Sequence, residues 1–154
     1  MQTFLPFECF KKSFESLDKR RAVKQCIECN QLLNIILRRN DKKGWQNHPA
    51  TLMWQNHSEA LQQYYNIGYN YCKWIHGVNF VKLQPEIITE PVIYPEWLGN
   101  EDFHHSHRCN LWRKALSDKD KNYMPLYDLL KNNPDFNNCD PTVDYIWPSK
   151  LVQA

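Results

Sequence analysis

Along most of the chain the apolar residues recur at helical steps rather than alternating as in a strand. Between Leu17 and about Arg39, Ala22, Cys26, Cys29, Leu33, Ile36 and Leu37 recur at steps of three and four with no Pro or Gly among them, which predicts the longest helix, with Asp18 as a cap near its start. A shorter helix is expected before it, over residues 7–17, because Phe7, Phe10, Phe14 and Leu17 step down one face and Pro6 sits at the first turn. After the polar stretch NDKKGWQNHP, Pro49 opens a short helix through Trp54, and Ser58, with Glu59 in the first turn, caps a longer one running to about Ile75. Gly77 stands where a C-terminal stop belongs. Residues 78–99 change character: Pro85, Pro91, Pro95 and the β-branched IITEPVIYP predict an extended excursion with room for a short edge strand. Helical pattern returns over residues 100 to about 116 and again over 125–131, before an Asn- and Pro-rich tail ending DYIWPSKLVQA. The expected fold is all-α: a compact single-domain helical bundle over residues 1–154 with one long Pro-containing loop.

Composition narrows the class. A chain of 154 residues that is 42% hydrophobic and 14% aromatic can bury a core, which excludes a disordered tail. Nineteen Lys and Arg against 17 Asp and Glu leave a formal charge of +2, too even to point to nucleic acid on charge alone, so any basic surface must come from local clustering. The start, MQTFLPFECFKK, lacks a basic segment followed by an apolar stretch, and no run approaches a membrane span. The expectation is an intracellular monomer, cytoplasmic or nuclear, or virion-associated if the source is viral, with no membrane partner. The six cysteines, at positions 9, 26, 29, 72, 109 and 139, are then read as reduced thiols rather than a disulfide framework.

Three clusters carry candidate chemistry. Arg21, Lys24, Gln25 and Glu28 fall at i, i+3, i+4 and i+7, so one helical stripe presents two cations, an amide and a carboxylate. That stripe is either a solvated face with an ion pair or a carboxylate held among cations to act on an anionic substrate such as DNA. In GWQNHPATLMW, Trp45, Asn47 and His48 precede a Pro-initiated helix, placing them as a cap or as a phosphate or base contact. In EDFHHSHRCNLWRK, His104, His107 and Arg108 share a face, with Arg113 and Lys114 about a turn beyond, as a phosphate clamp, a proton relay or a packed face. His104, His107, Cys109, Cys26 and Cys29 are ligand types that zinc takes, yet their spacing fits no finger pattern, so neither metal nor cofactor is expected. The six tryptophans are mainly core, with one or two able to stack on an unstacked base at a cleft.

MQTFLP, LDKRRAVKQCIE, GWQNHPATLMW, EWLGNEDFHHSHRCNLWRK and YIWP, in that order, resemble the pyrimidine dimer DNA glycosylase (endonuclease V-like) superfamily, in the bacterial and viral branch that begins MQTFLP. The resemblance implies an all-α DNA repair N-glycosylase with AP-lyase activity on damaged duplex DNA such as pyrimidine dimers. It implies that the α-amino group at the chain start attacks the anomeric carbon, forms a Schiff base and breaks the strand by β-elimination, assisted by a glutamate on the first long helix. Glu28 matches that glutamate, and Gln2 is too large for ordinary removal of the initiator methionine, so the amine falls to Met1. An α-amino group, with a reference pKa of about 7.7–8.0, supplies more neutral nucleophile near pH 7 than a lysine does. Arg21, Lys24, Gln25, Asn47, His48, His107, Arg108, Arg113 and Lys114 are the implied DNA contacts; Ile27 stands where the family carries an arginine. The alternatives are a non-catalytic nucleic-acid-binding protein of the same fold and an enzyme acting on free modified nucleotides.

Overall fold

A computed structural model describes residues 2–41 and 44–148. Among the described residues the backbone forms α1 (Phe10–Glu15), α2 (Lys19–Ile36), α3 (Pro49–Trp54), α4 (Ser58–Trp74), α5 (Glu101–Asp120), α6 (Pro125–Leu130) and a 3-10 turn at Pro134–Phe136, with no strand. The fold is all-α. No helix among the described residues is long and apolar enough to cross a membrane.

Contacts divide the chain into two compact units, one of Met1–Thr3 and Lys19–Leu98 and the other of Phe4–Asp18 and Gly99–Ala154. In the first unit α2 packs along α4, and α3 packs against both. The predicted stripe on α2 is buried at Ala22, Cys26, Cys29 and Leu33, joined by Leu32, and faces Ala60, Leu61, Tyr64, Tyr65 and Cys72 of α4. Burial at these steps of three and four turns a weak helical preference into a fixed element, each full apolar side chain contributing about 1.5–3 kcal/mol. The helix stops at Ile36 rather than near Arg39. Arg38 takes the left-handed conformation at φ 52°, while Arg38 N–H donates to the Ile35 carbonyl at 3.2 Å and Arg39 N–H to the Asn34 carbonyl at 2.9 Å. This is a Schellman closure made without glycine. Leu37 therefore leaves the stripe and is 38% exposed. On α4 the N-cap position belongs to His57, not Ser58, and makes no side-chain cap bond. Gly77, at φ 67°, turns the chain after α4 as expected.

No edge strand forms in residues 78–99. Side chains take the hydrogen bonds a neighbouring strand would have taken: Asn66 donates to the Glu86 carbonyl at 2.9 Å and accepts from the Glu86 N–H at 2.7 Å, and the Tyr65 hydroxyl donates to the Gln84 carbonyl at 2.7 Å. The prolines of this segment supply no N–H for a ladder. Glu86 is also gripped by Arg39, Nη1 to Oε2 at 2.9 Å and Nη2 to Oε1 at 2.5 Å, and by Gln62 Nε2 at 3.1 Å.

In the second unit α5 is the centre, packed by α6 and by the 3-10 turn, over a core that includes Leu5, Phe10, Phe14, Leu17, Phe103, Leu111, Leu126 and Phe136. The first helix is shorter than the Phe7 to Leu17 pattern predicts because Phe7 is held outside it: its N–H donates to Ser13 Oγ at 3.2 Å, and Ser13 Oγ donates to its carbonyl at 3.0 Å. α5 starts with Asn100 accepting from the Phe103 N–H at 3.0 Å and continues a turn past the expected Leu116.

Candidate functional site

Gln2 and Thr3 belong to the first unit and are buried there. Gln2 is 8% exposed and Thr3 fully buried. The Gln2 carbonyl accepts from Gln25 Nε2 of α2 at 2.9 Å, and the other end of the same amide, Oε1, lies 3.4 Å from the Tyr64 hydroxyl of α4. Thr3 Oγ1 accepts from Trp54 Nε1 at 3.0 Å, fixing the segment to α3 as well. Gln2 Oε1 accepts from the Thr3 N–H at 2.9 Å, while Gln2 Nε2 is buried with no partner, a donor withheld from water. Met1, the expected nucleophile, lies outside the described residues.

Gln25 is thus placed as an internal clamp, 1% exposed. Three residues on, one turn along the same face, stands Glu28, whose side chain is 16% exposed. Lys24 Nζ lies 3.9 Å from Glu28 Oε1 and is itself 74% exposed, so the ion pair is worth only a few tenths of a kcal/mol. Arg21 is half-buried one turn earlier. Burial pushes the Tyr64 hydroxyl and the Cys29 thiol, both on this side of the helix pair, well above their ordinary values, so neither is ionised near neutral pH. Of the predicted stripe, Gln25 holds Gln2, Glu28 is largely buried one turn further on, and Lys24 is in solvent. Ile27 is 43% exposed.

The GWQNHP segment forms the entry to α3. His48 is its N-cap: Nδ1 accepts from the Ala50 N–H at 3.0 Å, so a neutral ring carries its proton on Nε2. Partial burial, first among the causes, lowers its pKa and favours that neutral form. Asn47 is exposed. Trp45 is 53% exposed with φ 70°, a conformation costing a bulky L-residue roughly 1–2 kcal/mol. Its carbonyl is held by Thr51 Oγ1 at 2.6 Å and by the His48 N–H at 3.1 Å.

The cluster on α5 lies in the second unit and grips that unit's own backbone. His107 Nδ1 accepts from the Leu5 N–H at 3.0 Å. His104 accepts from the Gly99 N–H at Nε2, 2.9 Å, and is therefore a donor at Nδ1, 2.7 Å from the Leu5 carbonyl. Arg108 Nη1 donates to the Pro6 carbonyl at 2.7 Å, and Nη2 pairs with Glu101. Both histidines are driven toward neutrality by desolvation, His107 to about 3. Arg113 is half-buried, donating to Asn110 Oδ1 and, at 3.5 Å, to the Pro141 carbonyl, and the Lys114 ammonium lies 5.9 Å over the Phe4 ring. Thus one predicted set, Arg21 to Glu28 with Asn47 and His48, falls in the first unit, and the other, His107 to Lys114, in the second.

Reasoning from the sequence missed Gln2, Thr3, Trp54 and Tyr64, which build the seat of the chain start. Trp54 and Tyr64 lie on predicted helices; only their polar ends, the indole N–H meeting Thr3 and the hydroxyl meeting Gln25, give them this role. All six cysteines are free thiols, and Cys26 and Cys72 stand 3.9 Å apart between α2 and α4. Among the described residues no three His, Cys, Asp or Glu side chains are grouped so as to hold a metal.

Comparison with known proteins falls on the same part of the chain as this seat. No curated protein and no solved structure matches the chain. A family model described as pyrimidine dimer DNA glycosylase matches residues 1–71, which contain the chain start, α1, α2, α3 and most of α4. Over residues 1–71 the chain is thus similar to the pyrimidine dimer DNA glycosylase family.

Proposed function

We propose that the protein is a DNA N-glycosylase acting on damaged duplex DNA such as a pyrimidine dimer, with AP-lyase activity through the amine of Met1. The observation that carries this reading is the seat of the chain start: the carbonyl of Gln2 is clamped by Gln25, one helical turn before Glu28 on the same face of α2. A terminus usually frays, whereas Gln2 and Thr3, next to this one, are held by Gln25 and Trp54, which supports a use for its amine. The neutral amine attacks C1′ of the damaged nucleotide as the bond to the base breaks; the C1′–O4′ bond then opens, the proton passing from the nitrogen to O4′, to leave an imine, and loss of a C2′ proton drives the β-elimination that expels the 3′ phosphate. Glu28, with only a sixth of its side chain exposed, stabilises the positive charge that develops on the sugar and moves the proton.

Arg21 and Lys24 on the same helix, and Asn47 and His48 at the entry to α3, are proposed as contacts that position the DNA backbone. Gln25 serves the reaction by holding the chain start. His107 and Arg108 contribute by fixing Leu5 and Pro6, and Arg113 and Lys114 are retained as candidates for phosphate.

Glu28→Gln tests the assignment. The variant is expected to unfold at the wild-type temperature and to bind dimer-containing duplex normally, with single-turnover base release slowed at least about 100-fold, the usual scale of a lost acid–base group. Wild-type turnover in this variant would remove Glu28 from the mechanism. Salt-sensitive binding without product by the wild-type protein would favour the non-catalytic reading.

A further inference from the structure

Trp45 sets a half-exposed indole on a left-handed backbone conformation. It holds the left-handed conformation, at φ 70°, that an L-residue adopts only when something compensates. The compensation comes from its carbonyl, bound by the Thr51 hydroxyl at 2.6 Å and the His48 N–H at 3.1 Å. The indole gains little in return: 53% of the residue is exposed, and its ring meets that of His48 edge-on at a centroid distance of 5.1 Å. The neighbouring Gln46 and Asn47 are exposed, and a Cβ placed on Gly44 would meet nothing within 4 Å. Trp74 shows the contrast. It is more exposed, at 73%, but sits in the last turn of α4 with the Lys73 ammonium 5.1 Å over its ring. Trp45 instead stands on a strained, hydrogen-bonded mount, a few residues before the helix that holds Thr3. A large flat apolar face, rigidly presented among amides, suits a flat aromatic ligand with polar edges.

We infer that Trp45 is a base-stacking residue, taking the face of a nucleobase left uncovered where the duplex opens around the damaged nucleotide. The inference rests on the proposed action on DNA. Removing a base requires its nucleotide to leave the stack, and this strips a neighbouring base of one face. The indole replaces that face, and its fixed mount means that little conformational freedom is lost on contact.

The test is the equilibrium dissociation constant for a duplex carrying a tetrahydrofuran abasic analogue, with 2-aminopurine beside it, for the wild type and for Trp45→Ala, Trp45→Leu, Trp45→Phe and Trp74→Ala. Trp45→Ala and Trp45→Leu are expected to raise the constant roughly 5- to 150-fold, the factor carried by one lost base–aromatic stack, and to change the 2-aminopurine signal. Trp45→Phe should recover most of both, and Trp74→Ala should change neither. The Leu variant keeps apolar bulk if Ala disturbs the fold, and its contrast with Phe separates stacking from packing. Wild-type affinity and signal in the Ala and Leu variants would overturn the inference, as would a loss that Phe does not repair or that Trp74→Ala equals. Failure of the wild-type protein to excise a base, with the Trp45 pattern intact, would sink the glycosylase reading and leave the stack standing. Failure to bind the duplex at all would sink both.

Discussion

Acid should weaken this fold through His107, and the size of the effect follows from its surroundings. The residue is fully buried, with the Phe103 ring 4.4 Å and the Tyr145 ring 5.1 Å away between centroids. Desolvation, with a smaller contribution from His104, lowers its pKa from 6.5 to about 3. The geometry agrees, since Nδ1 accepts from the Leu5 N–H, and a proton there would set donor against donor. The folded chain therefore refuses a proton that the unfolded chain accepts below about pH 6.5. The contribution is fully present above that pH and is lost as pH falls toward 3, at about 1.4 kcal/mol per unit, or about 2 kcal/mol by pH 5. The assay is urea unfolding at a series of pH values from 7.5 to 5 for the wild type and for His107→Asn, whose Oδ1 can still accept from Leu5 but does not titrate. The Asn variant should be the less stable at pH 7.5, with the gap narrowing by about 2 kcal/mol at pH 5. His104 and the carboxylates titrate in both proteins and cancel in the difference. Two parallel stability curves would refute the reasoning.

Thr3→Val removes the acceptor of the buried Trp54 Nε1 while keeping the shape of the side chain; it should cost about 1–3 kcal/mol in urea unfolding and also slow base release, because the chain start loses one anchor. Arg39→Ala should cost only about 1 kcal/mol at pH 7, since the guanidinium is partly solvated. The hydrogen bond from Arg39 holds the Glu86 carboxyl below its usual value, so the wild-type advantage, measured by unfolding across pH, should be full above the ordinary carboxylate range and vanish as pH falls through the lowered value.

The helix positions were legible where local chemistry decides them. Pro49 at the first turn of α3 and Gly77 after the end of α4 act within a few residues of themselves. Ends set by backbone geometry were harder to read: nothing marks Arg38 for a left-handed turn, and the Ser13 bond that shortens α1 needs a neighbour six residues away. The polar residues of α5 were the least legible. Ser106 and Asn110 are polar, yet both are buried, Ser106 Oγ accepting from the Ile146 N–H at 3.1 Å and Asn110 Nδ2 donating to the Val143 carbonyl at 3.0 Å. Burial of a polar side chain depends on a distant backbone partner, and periodicity carries no trace of one. For the candidate site, the helix that carries Glu28 was readable, but Gln25 as the clamp of Gln2 was not, because its partners, Gln2 and Tyr64, are far from it in sequence.

The most direct test of the central claim is borohydride trapping of the wild-type protein on duplex DNA carrying an abasic site or a cyclobutane pyrimidine dimer, with the adduct mapped by mass spectrometry. The account predicts a covalent adduct at the α-amino group of Met1. Folded protein that yields no adduct on either duplex, or an adduct on a lysine instead, would contradict it.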